Sequence, residues 1–137
     1  MPEELARFSA GVLIWLTVTA AAVPASRADS GPHVRGPASV IPGRIVVFRA
    51  HGFRAGSLLE VALFPADKPS CCAIRIASSF PVSGFGDAVL TFRMPLYYRR
   101  CRSARHCRKI PWNPREQVVV SVFGYLQQAT TITSVGR

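Results

Sequence analysis

The densest cluster of reactive side chains lies between residues 97 and 112, in the segment YYRRCRSARHCRKIPW. Guanidinium groups bind phosphate, sulfate and carboxylate oxygens bidentately, and aromatic rings stack on sugar or base faces. The segment therefore predicts a site for an anionic polymer or an anionic surface. The alternative is a solvated loop whose charges serve only solubility. The expected binding residues are Arg99, Arg100, Arg102, Arg105, Arg108 and Lys109, with Tyr98 and Trp112 beside them.

The charge of the whole chain favours the same class of partner. Lysine and arginine number 17 against 7 acidic residues, which gives a formal net charge of +10. Such an excess attracts nucleic acid, cell-wall polymers or acidic lipid head groups over a Debye length of about 8 Å at physiological salt. A bias toward arginine codons, with a surface that is merely basic, explains the composition equally well.

Four cysteines, Cys71, Cys72, Cys101 and Cys107, allow three pairings if all are oxidised. If the strand that begins at Cys71 pairs with the strand that ends at Met94, the adjacent cysteines lie beside the basic segment. We therefore expect both bridges to run from Cys71 and Cys72 to Cys101 and Cys107. The alternative is a vicinal Cys71–Cys72 bridge with Cys101–Cys107 closing a local loop, which needs a strained ring.

No motif indicates catalysis or metal binding. Histidine occurs only at positions 33, 51 and 106, and no acidic pair is placed by a motif for acid and base roles. The chain has no phosphate-binding glycine loop and no nucleophile elbow. A zinc site from Cys101, His106 and Cys107 with the adjacent cysteines lacks the two-residue spacer that lets neighbouring ligands converge. We predict no enzyme activity, no metal and no cofactor, and we interpret His33 as incidental.

The elements that must position the basic segment are short strands. The stretch PGRIVVFRAHGFRAGSLLEVALF, residues 42–64, predicts a hairpin with strands at 44–49 and 58–64. Its turn contains glycines that permit positive φ, and Phe53 between them is expected to cover the edge of the core. Period-two alternation places Leu59, Val61 and Leu63 on one inward face.

Five further strands are expected at 39–41, 71–79, 87–94, 117–123 and 128–135. The fourth and fifth of the seven also show which side chains face inward, with 117–123 central and 128–135 at an edge. Turn signals separate the strands, and helical periodicity is almost absent outside the leader. The chain therefore predicts an all-β, seven-stranded antiparallel immunoglobulin-like sandwich after an N-terminal signal helix, with a small barrel as the alternative. The further inward residues are Cys72, Ala88, Leu90, Phe92 and Met94.

Residues 1–28 have the composition of a secretory signal. The apolar run at 8–23 is shorter than the about 20 residues that span a bilayer. We expect cleavage after Ala28, although Glu3 and Glu4 depart from the usual basic start, and an uncleaved anchor is the alternative. Residues 29–37 are then a flexible lead-in, and residues 38–137 form the sandwich with a disulfide-tied basic loop at 95–116. The mature chain is expected outside the cytoplasm, without a transmembrane domain.

The run PGRIVVFRAHGFRAGSLLEVAL is similar to the opening of small secreted bacterial immunoglobulin-like domains with a G-x-G-F-x-x-G type turn. The order of a cysteine pair, a glycine turn before an alternating strand and a late second cysteine pair resembles the apo-proteins of the neocarzinostatin type over residues 38–135. That resemblance implies a sandwich that holds a small aromatic ligand between its main barrel and a side ribbon. The adjacent Cys71 and Cys72 depart from the family's pattern.

These observations predict a secreted, monomeric, non-catalytic binding module that engages an anionic polymer or a cell-surface component. The first alternative is a carrier of a small apolar ligand in the neocarzinostatin manner. The second is an accessory domain that docks on another secreted protein through the edge strand at 128–135. Candidate cleft residues for the carrier are Phe53, Phe80, Phe85 and Trp112.

Overall fold

The computed structural model describes residues 31–68 and 72–136, and every regular element in these ranges is a β-strand. The leader predicted at 1–28 lies outside the described residues. Within the described ranges, the structure contains no helix with the length and apolar character needed to cross a membrane. The strands are β1 His33–Arg35, β2 Ser39–Val40, β3 Ile45–His51, β4 Leu58–Pro65, β5 Ile74–Arg75, β6 Phe80–Pro81, β7 Ala88–Arg93, β8 Tyr97–Ser103, β9 His106–Pro111, β10 Gln117–Gly124 and β11 Gln127–Val135.

The strands form a smaller sheet, a larger sheet and a separate ribbon. The smaller sheet has the order β1-β3-β7, and the larger has the order β2-β11-β10-β4-β5, with β6 also paired to β4. The ribbon consists of β8 and β9. All of these pairs are antiparallel except β2 with β11, which is parallel. The predicted all-β immunoglobulin-like sandwich is confirmed, although the described residues contain eleven strands and not seven.

The hydrophobic core contains the side chains that the alternation predicted. Leu59, Val61 and Leu63 on β4 have no exposed surface, and the inward positions of β7 and the residue Cys72 are also buried. Full burial of one large aliphatic side chain contributes about 1.5–3 kcal/mol. β10 is the central strand of the larger sheet, as predicted, and lies between β4 and β11. Its contribution to the core is Val118, Val120 and Val122.

The hairpin predicted at 42–64 is wrong, because β3 and β4 belong to different sheets. β3 pairs with β1 and β7, whereas β4 pairs with β10, β5 and β6. The connection between them therefore crosses from one sheet to the other, as sandwich topologies require. Phe53 in this connection is buried, as expected, and its N–H donates to the Gly86 carbonyl at 3.2 Å. Gly86 has a φ of 84°, a conformation that glycine adopts without strain.

Three other expectations need correction. The lead-in predicted to be flexible contains β1, whose Val34 enters the core and whose backbone pairs with β3. The strand predicted at 71–79 is only Ile74–Arg75 in the described residues, and it pairs with β4 and not with β7. β11 is not a free edge along its whole length, because Ser134 and Val135 pair with β2.

Candidate functional site

The basic segment predicted as a loop is the two-stranded antiparallel ribbon of β8 and β9. Its register runs from Tyr97 opposite Pro111 to Ser103 opposite His106, with an irregularity between Cys101 and Ser103. The loop prediction was wrong because alternation of apolar and polar residues identifies a strand only where one face is buried. Beyond Tyr98 both faces of β8 are exposed, so basic residues occupy consecutive positions.

A disulfide joins Cys101 to Cys107, which are directly opposed in the ribbon with Cα atoms 4.0 Å apart. The expected bridges from these residues to Cys71 and Cys72 are therefore wrong, and for this pair the local-loop alternative is correct. That expectation assumed that the strand after Cys71 pairs with β7, whereas β5 pairs with β4. Cys72 is also disulfide-bonded, and Cys71 lies outside the described residues.

Like charges face one another across the ribbon. Arg99 is directly opposite Lys109, and Arg100 is directly opposite Arg108. All four side chains are exposed, and the chain has no acidic residue from position 88 to position 115. Directly opposed like charges destabilise a strand pair. The ribbon therefore keeps a self-repelling arrangement that an anion between the strands would relieve.

The ribbon has cations on both faces, because successive side chains of a strand alternate and opposed residues share a face. Arg100 and Arg108 are on one face, where they line a shallow concavity of about 460 Å³ with Arg102 and His106. Ser103 Oγ and His106 Nδ1 are 3.1 Å apart at the distal end of this face. The structure thus brings three of the six predicted cations together here. Arg105 lies in the turn at the tip.

The opposite face borders a groove of about 770 Å³ between the ribbon and the sandwich. The ribbon contributes Arg99 and Lys109, and the sandwich contributes two cations that sequence reasoning missed, Arg75 and Arg93. Arg93 precedes the ribbon by 4 residues and Arg75 precedes it by 22, so for Arg75 only the strand pairing reveals the proximity. The remaining lining residues are Gly43, Ala73, Ile74, Met94, Pro95, Leu96 and Tyr97.

Two of the four groove cations have partners on the sandwich. A guanidinium nitrogen of Arg93 donates to the Gly43 carbonyl at 2.6 Å. The Nε atom of Arg75 lies 3.8 Å from a carboxylate oxygen of Glu60, in an exposed ion pair of small energetic weight. Arg93 is thus held in place at the groove, while Arg75 is free to reorient toward a ligand.

Tyr98 and Trp112 were predicted to stack on a ligand, but the structure places both rings in the core. They are 2% and 6% exposed, and their centroids lie 4.8 Å apart. A hydrogen bond with Tyr98 raises the pKa of Lys68, and Asp67 acts in the same direction. The two rings therefore anchor the base of the ribbon, and the aromatic ring that the ribbon exposes is Tyr97, at 46%.

The aromatic residues proposed for a carrier cleft do not share a wall. Phe53, Phe80 and Trp112 are buried in the core, whereas Phe85 is 94% exposed in a turn. In residues 31–68 and 72–136, no group of three or more histidine, cysteine, aspartate or glutamate side chains is placed to hold a metal ion. The ribbon and its bordering groove are therefore the candidate site.

Comparison with known proteins identifies the fold. The solved structure of macromomycin, an apo-protein of the neocarzinostatin family, matches 77% of this chain and 100% of its own length, with 15% identity and a TM-score of 0.55. A CARDB domain from Pyrococcus furiosus matches 77% of this chain and 91% of its own, with 14% identity and a TM-score of 0.36. No protein-family model and no curated protein matches the chain. The resemblance inferred from the sequence is thus confirmed at the level of the fold.

Proposed function

We propose that this neocarzinostatin-like β-sandwich is a secreted, non-catalytic binding module that engages an anionic polymer or surface through the ribbon of β8 and β9. The observation that carries the proposal is the two pairs of opposed cations, Arg99 with Lys109 and Arg100 with Arg108, held in register by the adjacent disulfide. Anionic groups that bind between the opposed side chains neutralise a repulsion that the free protein retains. Binding therefore gains from relief of repulsion as well as from direct attraction.

The disulfide supports this role by ordering the ribbon before it binds. Immobilising a long side chain or a loop on binding costs about 0.5–1.5 kcal/mol per side chain. In the ribbon, Cys101–Cys107 and the buried Tyr98 and Trp112 fix the backbone at both ends. Only the conformational freedom of the side chains is then lost when an anion binds.

The arrangement of the cations favours a polymer over a single small anion. Arg99 and Arg102 are three residues apart, so β8 carries its charges along about 10 Å at 3.3 Å per residue. A small anion contacts one opposed pair at a time. A chain of phosphate, sulfate or carboxylate groups contacts Arg100, Arg102 and Arg108 together on one face. On the opposite face, the exposed Tyr97 adds a ring that can stack on a sugar.

Secretion is part of the proposal. Disulfides persist in oxidising compartments, and the Cys101–Cys107 bridge supports such a location. We propose that residues 1–28 are removed and that the remaining chain, with β1 as part of the sandwich, acts as a monomeric extracytoplasmic domain. Intact mass spectrometry of protein recovered from the host medium is expected to give a chain that begins at Asp29. A chain that retains Met1 would contradict cleavage without affecting the ribbon.

The test of binding compares two triple variants with the same change of charge. R100S/R102S/R108S removes cations from one face of the ribbon, and R35S/R44S/R49S removes three exposed cations from the sandwich. Retention on a sulfated polysaccharide resin is measured as a function of salt. Because each anionic contact contributes to the salt slope, we expect the ribbon variant to reduce that slope by about two and the sandwich variant to change it little. Equal effects would show that only net charge matters and would refute the ribbon site.

A small-ligand carrier is the second candidate, and the groove beside the ribbon is the observation that favours it. Its volume of about 770 Å³ lies within the range typical of ligand pockets, about 300–1,000 Å³. Met94, Leu96 and Ile74 give it apolar walls, while four cations line its rim. Native mass spectrometry of the protein from its host tests this function. A bound small molecule supports the carrier, and an unliganded mass together with resin binding supports the polymer.

A further inference from the structure

Three side chains that the proposed function does not use meet at one end of the smaller sheet. His33 on β1 is directly opposite His51 on β3, and the centroids of their imidazole rings lie 5.1 Å apart. His51 Nδ1 lies 2.8 Å from Asp87 Oδ1. The β3–β7 ladder ends at the pair Ala50 with Ala88. Asp87 directly precedes Ala88 in the chain, so the antiparallel register places it beside His51.

The hydrogen bonds determine which nitrogen of each ring is available. His51 Nδ1 contacts a carboxylate, and His33 Nδ1 contacts the Gly31 carbonyl oxygen at 3.1 Å. Both of these oxygens accept hydrogen bonds and do not donate them, so Nδ1 carries the hydrogen in each ring. Each Nε2 then has a free lone pair, and within the described residues neither Nε2 makes a hydrogen bond.

The spacing of the rings matches that of two imidazoles on one metal ion. With a metal–nitrogen distance of about 2.1 Å and a tetrahedral angle, the two ring centroids are about 5 Å apart. A carboxylate or a carbonyl on the opposite nitrogen is also the usual partner of metal-binding histidines, because it fixes the orientation of the ring. The rings of His33 and His51 satisfy both conditions.

We infer that His33 and His51 form a binding site for a divalent ion that prefers imidazole, namely Zn²⁺ or Cu²⁺. The two Nε2 atoms are the protein ligands, and water completes the coordination shell. Asp87 is a positioning residue that holds the His51 ring. The ion would join β1 to β3, so that the three-residue β1 gains a second attachment to the sheet.

The neighbouring charges oppose this binding and provide a specific test of it. Arg35 and Arg49 are opposed two residues along the same strands, and they therefore lie on the face that carries the histidines. The spacing along a strand is about 7 Å over two residues. In water, one positive charge at this distance from a divalent ion weakens its binding about sevenfold. Replacing Arg49 with Gln should therefore tighten metal binding.

The experiment titrates Zn²⁺ alone into the untagged full-length protein and follows the heat of binding. We expect one ion per chain, a loss of affinity of at least tenfold in H33Q and in H51Q, and a loss of about 10–100-fold in D87N. R49Q should bind about sevenfold more tightly. H106Q alters the ribbon histidine and is the matched control that should bind as the wild type does. With Cu²⁺, the electron paramagnetic resonance spectrum should show two nitrogen ligands, and one in H33Q.

Unchanged Zn²⁺ affinity in H33Q and H51Q would overturn the inference, as would loss of binding in H106Q. A Cu²⁺ spectrum without two nitrogen ligands in the wild type would overturn it independently. His33 is exposed and His51 partly exposed, so the variants are expected to fold, and circular dichroism checks this. Retention on the anionic resin is a separate measurement, so failure of the metal site and failure of the ribbon site are distinguishable.

Discussion

Replacement of both Cys101 and Cys107 with serine removes the bridge in the ribbon without changing its charge. The bridge closes a loop whose ends are 6 residues apart in sequence. The chain-entropy relation for such a loop gives a contribution of about 2 kcal/mol. Arg99 with Lys109 and Arg100 with Arg108 then repel one another with no covalent link between the strands. We therefore expect the ribbon of C101S/C107S to open more often than that of the wild type.

Hydrogen exchange measured peptide by peptide reports this opening. A change of about 2 kcal/mol corresponds to roughly 30-fold faster exchange of amides that exchange by local opening, and we expect it at residues 99–109. The core strand β4 should keep its protection, because Leu59, Val61 and Leu63 are untouched by the substitution. In 1 M salt the Debye length falls to about 3 Å, so the part of the effect that comes from repulsion should shrink.

A sulfated polysaccharide added to C101S/C107S should restore protection of the ribbon, since it neutralises the opposed cations. An uncharged polysaccharide is the matched control and should have no effect. Wild-type exchange rates in the variant's ribbon at low salt would refute the reasoning, because the bridge would then contribute nothing to order. Acceleration that extends equally to β4 would also refute it, because the effect would not be local.

Two further substitution pairs test the packing that supports the site. In Gly86→Ala, the alanine must adopt a φ of 84° and place its Cβ 2.9 Å from the Phe53 carbonyl oxygen. We therefore expect the free energy of unfolding, measured in urea, to fall by more than about 1 kcal/mol. In Gly84→Ala, where nothing lies within 4 Å of the Cβ, the free energy of unfolding should change by less than about 0.5 kcal/mol. Trp112→Ala should cost about 3–5 kcal/mol and expose Tyr98, whereas Trp112→Phe should cost less, because the buried indole N–H has no hydrogen-bond partner to lose. Equal effects within either pair would contradict these contacts.

The sequence predicted burial well because alternation is a local property. Leu59, Val61 and Leu63 could be assigned to the core from their own strand alone, and each is fully buried. Pairing is a different kind of information, since it depends on residues far apart in the chain. Ile45 pairs with Arg93 and not with any residue of β4, and nothing in the run from 42 to 64 indicates that its two strands separate into different sheets.

The same difference between local pattern and strand pairing applies to the candidate site. The six cations of the ribbon could be identified by composition, but their strands could not, because arginine on both faces hides the period of two. The disulfide was assigned wrongly since it depended on a pairing that does not exist. Arg75 and Arg93, and the contact of His33 with His51, are consequences of register, so they could not be predicted without the fold.

The central position of β10 has a consequence for synthesis. β4 cannot form its pairs with β10 until β10 has been synthesised. Pro65 of β4 pairs with Val118 of β10, and the two are separated by 118 − 65 = 53 residues. At about 5–20 residues per second, roughly 3–10 s pass between the release of the two strands from the ribosome. During that interval one edge of the apolar strand β4 lacks its partner, so a nascent chain of this protein is most prone to aggregate before β10 is released.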